Sequence, residues 1–309
     1  NVKTIELNLI TDPPMSVIAL ENHEIAFARF HDSTSLNNFF VNGAPVEGYN
    51  VDLSDGVFTM DMFLNMSEHS VLSKSSDLRK AVLYALNSED IMYAQGNDEN
   101  TSFALTTLGT PAMAGAQPQW ENEDYYDYDP EKAAEYLKAA GYAPGEITLT
   151  FMSGTTLNND SVRAVVVNNL EEAGFKVELL TVDGALFNVY QSDPTQWDMA
   201  IQFKSAGTGH ITGCWDICFN PNSFTDGTSV CFNRDEKLVE LLLAAEKDPT
   251  PENLNAFHYY LKDQAYCKGL YSTRSASVST NKILEIATDA LSNPLSNAMV
   301  FAADYESGK

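Results

Sequence analysis

Between Ile147 and Phe203 the chain alternates strand-like and helix-like stretches, and this alternation leaves few folds open. Ile147, Leu149 and Phe151 stand at every second position, as in a half-buried strand. Asp160 to Ala173 reads as a helix stopped by Gly174, and Phe175 to Val182 as the next strand. Asp183 opens a short helix through Leu186 and Tyr190, and Asp198 to Phe203 forms a third strand. Strands joined through helices pair in parallel, because the helix carries the chain back to its starting edge. The segment therefore predicts an α/β domain with largely parallel pairing.

Helix signals surround this block. The clearest is Asp129 as N-cap, Pro130 at the first helical position, Glu131 in the first turn and Gly141 as the stop. Ser76 and Asp77 open an earlier helix with Leu78, Val82, Ala85 and Leu86 on one face, and Ser88 caps the next, which stops at Gly96. Two more are expected over Asp235–Lys247 and Pro251–Cys267. Towards the N-terminus, Ile5, Leu7 and Leu9 alternate as a strand, Met15–Leu20 reads as a short helix, and Ile25–Phe30 and Val57–Met66 as strands. The stretches 31–56 and 97–119 are polar and rich in turn formers, and are expected to be loops. Short strands are expected near Leu270–Thr273 and Ser277–Thr280.

With 309 residues the chain is long enough for two lobes or one large domain. Its 18 Lys and Arg against 43 Asp and Glu leave a net charge of −25. Such a surface repels phosphate backbones and anionic headgroups, which argues against nucleic-acid or membrane-surface partners. It suits a protein kept soluble outside the cytoplasm. Ala298–Ala303 is an apolar run of six residues, far short of the ~20 that span a bilayer. Residues 1–5 carry no signal-peptide pattern, and the chain is expected to begin inside a longer protein.

Of four cysteines, Cys214, Cys218 and Cys231 lie close in sequence and Cys267 follows. Two readings stand: disulfides of an exported protein, or a thiolate metal site joined by His210. Only Cys214 and Cys218 have a structural-zinc spacing, which favours disulfides among all four. The glycines at 207, 209 and 213 argue against a helix that would place His210, Cys214 and Cys218 on one face.

Catalytic signatures are not found. The chain has no G-x-S-x-G, H-E-x-x-H, P-loop or G-x-G-x-x-G pattern. Acidic groups such as Glu171-Glu172 and Glu121/Glu123/Asp124 read as solvated charge, and the five histidines are scattered. No enzyme activity, cofactor or metal is expected.

The helical block carries a family resemblance. Residues 76–91 (SDLRKAVLYALNSEDI), 126–142 (YDYDPEKAAEYLKAAGY) and 170–179 (LEEAGFKVEL), followed by Gln196-Trp197-Asp198-Met199-Ala200, resemble in order the markers of family 5 extracellular solute-binding proteins, the peptide/nickel-binding class of ABC importers. Arg79 and Asp77 stand within one helical turn, where they could pair or cap, and the Ala-Gly endings allow close helix packing. These motifs read as scaffold.

The resemblance implies a periplasmic-binding-protein-like (type II) α/β lobe, its mixed sheet flanked by helices, with a partial second lobe. Residues 1–70 are expected to be the tail of lobe I, 71–285 lobe II, and 286–309 the return to lobe I. Hinge crossings fall near 66–75 and 283–291, and the start of lobe I, a small extra domain and the export signal would precede Asn1. The implied function is capture of an oligopeptide or similar solute between two lobes and delivery to an ABC permease. The implied location is extracytoplasmic, periplasmic or as a cell-surface lipoprotein whose only membrane tie is an N-terminal anchor. A hydrolase on a two-lobed scaffold, or a solute-binding module used for sensing, are the alternatives.

One departure bears on the ligand. Peptide binders of this family often carry a Trp and then Ala-Asp-Tyr after the Trp-Asp-Met-Ala strand, the Asp holding the peptide's amino terminus. Here Lys204 stands at the Trp position and Gly207 at the Asp position. A cation and a glycine cannot hold an ammonium as a carboxylate does. The expected contacts are Phe203, Lys204, Gly207, Thr208 and His210, with Met62 and Asn65 from the strand joining the lobes.

Overall fold

A computed structural model describes residues 6, 8–30, 32–205, 209–223, 230–286 and 299–301. The chain divides into two units: residues 1–56, 96–102 and 273–309 in unit 1, and 57–95 and 103–272 in unit 2.

Unit 1 is built on a three-stranded antiparallel sheet in the order Phe27–Phe30, Ser275–Thr280, Tyr49–Ser54. Helix Pro13–Glu21 and the short helix Ser33–Leu36 supply Val17, Leu20 and Leu36 to a core with Phe30, Phe39, Ala276 and Val278. The strand Tyr49–Ser54 corrects the expectation of loop over 31–56. Tyr49, Val51 and Leu53 alternate with Asn50, Asp52 and Ser54, and the apolar three pack against that core. Ile5 and Leu7 of the expected first strand lie outside the described residues, as does most of 286–309.

Unit 2 holds a six-stranded mixed sheet in the order Ser102–Ala104, Cys267–Thr273, Phe58–Leu64, Met199–Ser205, Thr148–Gly154, Lys176–Val182. Thr148–Gly154 pairs in parallel with both Lys176–Val182 and Met199–Ser205, as the alternation over 147–203 requires. Phe58–Leu64 runs antiparallel between Met199–Ser205 and Cys267–Thr273, which makes the sheet mixed. Helices Ser76–Ala85, Pro130–Ala139 and Asp160–Glu172 cover one face, burying Leu78, Val82, Leu137 and Val166 against Met60, Met62, Leu149, Phe151 and Ile201. On the other face, helix Gly184–Gln191 lays Phe187 beside Met152, Val182, Trp197 and Ala200.

Local chemistry sets these elements. Asp129 caps its helix by accepting from Lys132 N at 2.8 Å. The caps of the two helices after Phe58–Leu64 are Ser75 and Asn87, one residue ahead of the Ser76 and Ser88 read from sequence. Arg79 does not pair with Asp77. It is buried, donating to the Gln264 carbonyl at 2.7 Å and to the Leu72 carbonyl at 3.0 Å, with its guanidinium 4.9 Å from the centre of the Tyr266 ring. Asp198 of the Trp-Asp motif accepts from Thr150 N at 2.8 Å and from the Ser70 hydroxyl at 2.6 Å, tying strand to loop.

Two expectations fail in unit 2. The 97–119 stretch is not a surface loop: Leu105, Leu108 and Met113 are buried, and Trp215 Nε1 donates to the Leu108 carbonyl. The glycines ahead of Cys214 do not prevent a helix either. Ile211–Phe219 is helical, entered through His210, whose ring accepts from Thr212 N, and it carries Cys214 and Cys218 one turn apart. Helical conformation begins after the His210 cap and takes in Gly213. Among the described residues no helix is long and apolar enough to cross a membrane.

Candidate functional site

Strand register decides which side chains share a face. Thr59 pairs with Lys204, Asp61 with Gln202, Phe63 with Ala200, and on the third strand Gly269 pairs with Asp61. Directly opposed residues of antiparallel strands project to the same side. Thr59, Asp61, Gln202 and Lys204 therefore form a polar row on the face opposite the Met60–Met62 core.

The row is buried at one end and open at the other. Asp61 is 0% exposed and Gln202 2%, while Lys204 is half-buried. Asp61 Oδ2 accepts the Thr59 hydroxyl at 2.7 Å, and Oδ1 has no hydrogen-bond partner. Gln202 Oε1 accepts from Gln191 Nε2 at 3.1 Å, and Gln202 Nε2 has no partner. The Lys204 ammonium lies 5.7 Å from the centre of the Phe63 ring, so the side chain reaches back along the face past Gln202 and Asp61. Burial pushes the Asp61 carboxyl up to about 7, against the opposing pull of the Thr59 hydroxyl and the Lys204 charge. An uncompensated buried carboxylate is costly, so the group holds its proton near neutrality.

Around this row lie buried thiols and a phenol. The field of Asp61 reaches Cys218, Cys267 and Tyr125, and burial raises all three groups well above their ordinary values. Cys214, Cys218, Cys231 and Cys267 are all buried, and Cys214 and Cys218 hydrogen-bond to each other. Cys214, Cys218 and Cys267 are free thiols. Among the described residues no group of three or more His, Cys, Asp and Glu is placed to hold a metal. His210 Nδ1 lies 2.8 Å from the Thr212 hydroxyl, and the ring packs against Gly115.

The residues singled out from sequence do not gather at one place. Lys204 belongs to the row. Phe203 points to the other face, 46% exposed and stacked on Phe58 with ring centres 5.3 Å apart. Met62 is 0% exposed in the helix-covered core. Asn65 is equally buried and brackets a loop, donating to the Pro194 carbonyl at 2.8 Å and the Trp197 carbonyl at 2.6 Å while accepting from Ser67 N. Gly207 and Thr208 lie outside the described residues. Thr59, Asp61 and Gln202 were not among the expected contacts. Their signal is a pair of polar residues at every second position inside apolar strands, T-x-D at 59–61 and Q-x-K at 202–204.

The model of bacterial extracellular solute-binding proteins, family 5 (middle), matches residues 1–218. Among solved structures, a putative peptide binding protein AppA from Clostridium difficile superposes at TM-score 0.75 and 14% identity, over 93% of this chain and 59% of that one. DppA from Helicobacter pylori, solved in complex with the peptide STSA, gives 0.66 and 18% over 89% of this chain and 52% of that one. NikA from Brucella suis, solved with Fe(III)-EDTA, gives 0.68 and 20% over 91% and 58%. At these identities the likeness is one of fold, that of type II periplasmic binding proteins, and this chain spans between 52% and 59% of their lengths. Matched over more than two thirds of its residues, in the order its helical motifs fall, the chain belongs to the family 5 bacterial extracellular solute-binding proteins.

Proposed function

We propose that this chain is the solute-capturing part of an ABC importer, working outside the cytoplasm and handing its ligand to a membrane permease. In this reading unit 2 is the second lobe of the binder and unit 1 belongs to the first. The protein works in the periplasm or tethered to the cell surface as a lipoprotein, and an oligopeptide or similar small polar solute is the cargo. Family membership supports the class. The observation that carries the site is the row Asp61–Gln202–Lys204, where the half-buried Lys204 shares a sheet face with two buried polar atoms, Asp61 Oδ1 and Gln202 Nε2, that have no partner. The amino-terminal anchor of peptide binders has no counterpart at Gly207, so the cargo is held by other groups.

The test is a thermal-shift screen of the protein with peptides, free amino acids, metal chelates and oligosaccharides. A ligand at 100 times its dissociation constant stabilises the fold by about 2.7 kcal/mol, enough to move a melting curve. A reproducible shift with one class establishes capture, and peptides are the class expected. A cooperative melt that no class moves would sink the proposal.

A further inference from the structure

Three groups in the polar row have bonding capacity that the protein leaves unused, and all three can act as donors. Gln202 Nε2 has no partner, its amide oxygen being taken by Gln191. No hydrogen bond or ion pair among the described residues engages the Lys204 ammonium, whose charge faces the Phe63 ring and the buried Asp61. The Thr59 hydroxyl donates to Asp61 Oδ2, which leaves Oδ1 as the oxygen to carry the proton of the acid. An ammonium, an amide N–H and a carboxylic O–H on one face are complementary to an oxyanion and to little else.

We propose that Lys204, Gln202 and Asp61 form a subsite for a carboxylate group of the solute, which accepts hydrogen bonds from Lys204 Nζ, Gln202 Nε2 and the protonated Asp61 Oδ1. The subsite rests on the reading of the chain as a solute binder and names the chemistry of its cargo. It inverts the arrangement in which a protein carboxylate holds a ligand ammonium. Binding is proton-linked: when Asp61 is ionised, a solute carboxylate arrives beside a second carboxylate, so association takes up one proton from solvent. The groups facing Asp61 are Thr59 on its own strand, Lys204 and Gln202 on the next, Cys267 on the other neighbour, Cys218 on helix Ile211–Phe219, and Tyr125. Burial holds the thiols and the phenol protonated well above neutral pH, so none of these three competes with Asp61 for the proton taken up between pH 6 and 8.

A solute carboxylate can come from a peptide terminus or from a free organic acid, and calorimetric titration separates them. The probes are tri-alanine, tri-alanine carboxamide and succinate, each at pH 6 and pH 8. Tri-alanine binding with the carboxamide at least tenfold weaker identifies a peptide terminus, and succinate binding alone identifies an organic acid. Either supports the subsite when Lys204→Met weakens the bound probe at least tenfold and wild-type affinity falls about tenfold from pH 6 to pH 8, with Asp61→Asn abolishing that pH dependence. Equal binding of acid and carboxamide, or unchanged affinity in Lys204→Met, overturns it. Should the variants fail to fold, NMR titration of the wild-type Asp61 carboxyl decides: the bound probe must raise its midpoint, and an unchanged or lower midpoint overturns the proposal. If none of these probes binds while another class in the thermal screen does, the subsite is wrong and the solute-binding reading stands. If every class is silent, both fall.

Discussion

The ammonium of Lys268 lies 2.7 Å from the carbonyl of Leu86 and 2.7 Å from that of Tyr126, with the Leu83 carbonyl at 3.3 Å. A side chain from the sheet thus closes the C-terminal end of helix Ser76–Ala85, where carbonyls lack partners within the helix. Lys268→Met keeps the stem and removes the donors, leaving the Leu86 and Tyr126 carbonyls short of a partner, while the Leu83 carbonyl keeps the Leu86 N–H. The expected loss is at least about 2 kcal/mol in urea unfolding. A change within 0.5 kcal/mol would refute this role.

Asp61 sets a pH slope on stability. Its carboxyl is pushed up to about 7 in the folded protein, above its ordinary value of 3.8, so between those values the folded state keeps a proton that the unfolded state releases. Stability from this group is therefore fullest at acid pH, falls as pH rises from about 4 to 7, and is level above. Asp61→Asn removes that slope and raises stability at pH 8 relative to wild type, by on the order of 2–4 kcal/mol. Urea unfolding of both proteins across pH 4–8 measures it, and parallel curves would count against a buried, proton-holding Asp61.

The thiols of Cys218 and Cys267 are buried and raised well above their usual range. In the native protein at pH 8 they are expected to resist a thiol-reactive dye, because thiolate and access are both lacking. Labelling after unfolding without reductant, read by peptide mass spectrometry, is expected at Cys214, Cys218 and Cys267. Rapid native labelling at either Cys218 or Cys267 would contradict the burial described.

Gly269 lies on the same sheet level as Asp61, and a Cβ there would collide with the Thr107 backbone carbonyl. A backbone neighbour cannot swing aside as a side chain can. Gly269→Ala is expected to cost about 1–3 kcal/mol by forcing the 105–107 segment outward. A thermal melt identical to wild type would show that the segment yields freely.

Much of unit 2 was legible because its signals are local. Asp129, Pro130 and Gly141 specify a helix within a dozen residues, and the alternation over 147–203 specifies parallel strands with helices between them. The recurrence of the family motifs in order added the fold. The strand Tyr49–Ser54 was hidden because Asn, Asp and Ser at its outward positions gave it the composition of a loop. Helix Ile211–Phe219 was hidden by the glycines at 207, 209 and 213, the last of them inside it, although His210 supplies its cap. The candidate site was half legible. Lys204 stood out as a departure from the family pattern, whereas Asp61 and Gln202 gain meaning only from a register that pairs residues 141 positions apart. Met62 was read in a strand, as found, whereas Asn65, read in the same strand, lies just past its end at Leu64. Which face a strand residue takes depends on its neighbours across the sheet, and those are remote in sequence.

The middle strand of unit 1, Ser275–Thr280, lies between Phe27–Phe30 and Tyr49–Ser54. During synthesis those two outer strands leave the ribosome with no partner between them, and they wait while the whole of unit 2 emerges. Residues 57–272 include every strand of the larger sheet except the last residue of Cys267–Thr273, so unit 2 can form its core before unit 1 can close. Until Thr280 appears, the early strands expose their edges, and a nascent chain stalled before that point carries a finished sheet alongside an open one.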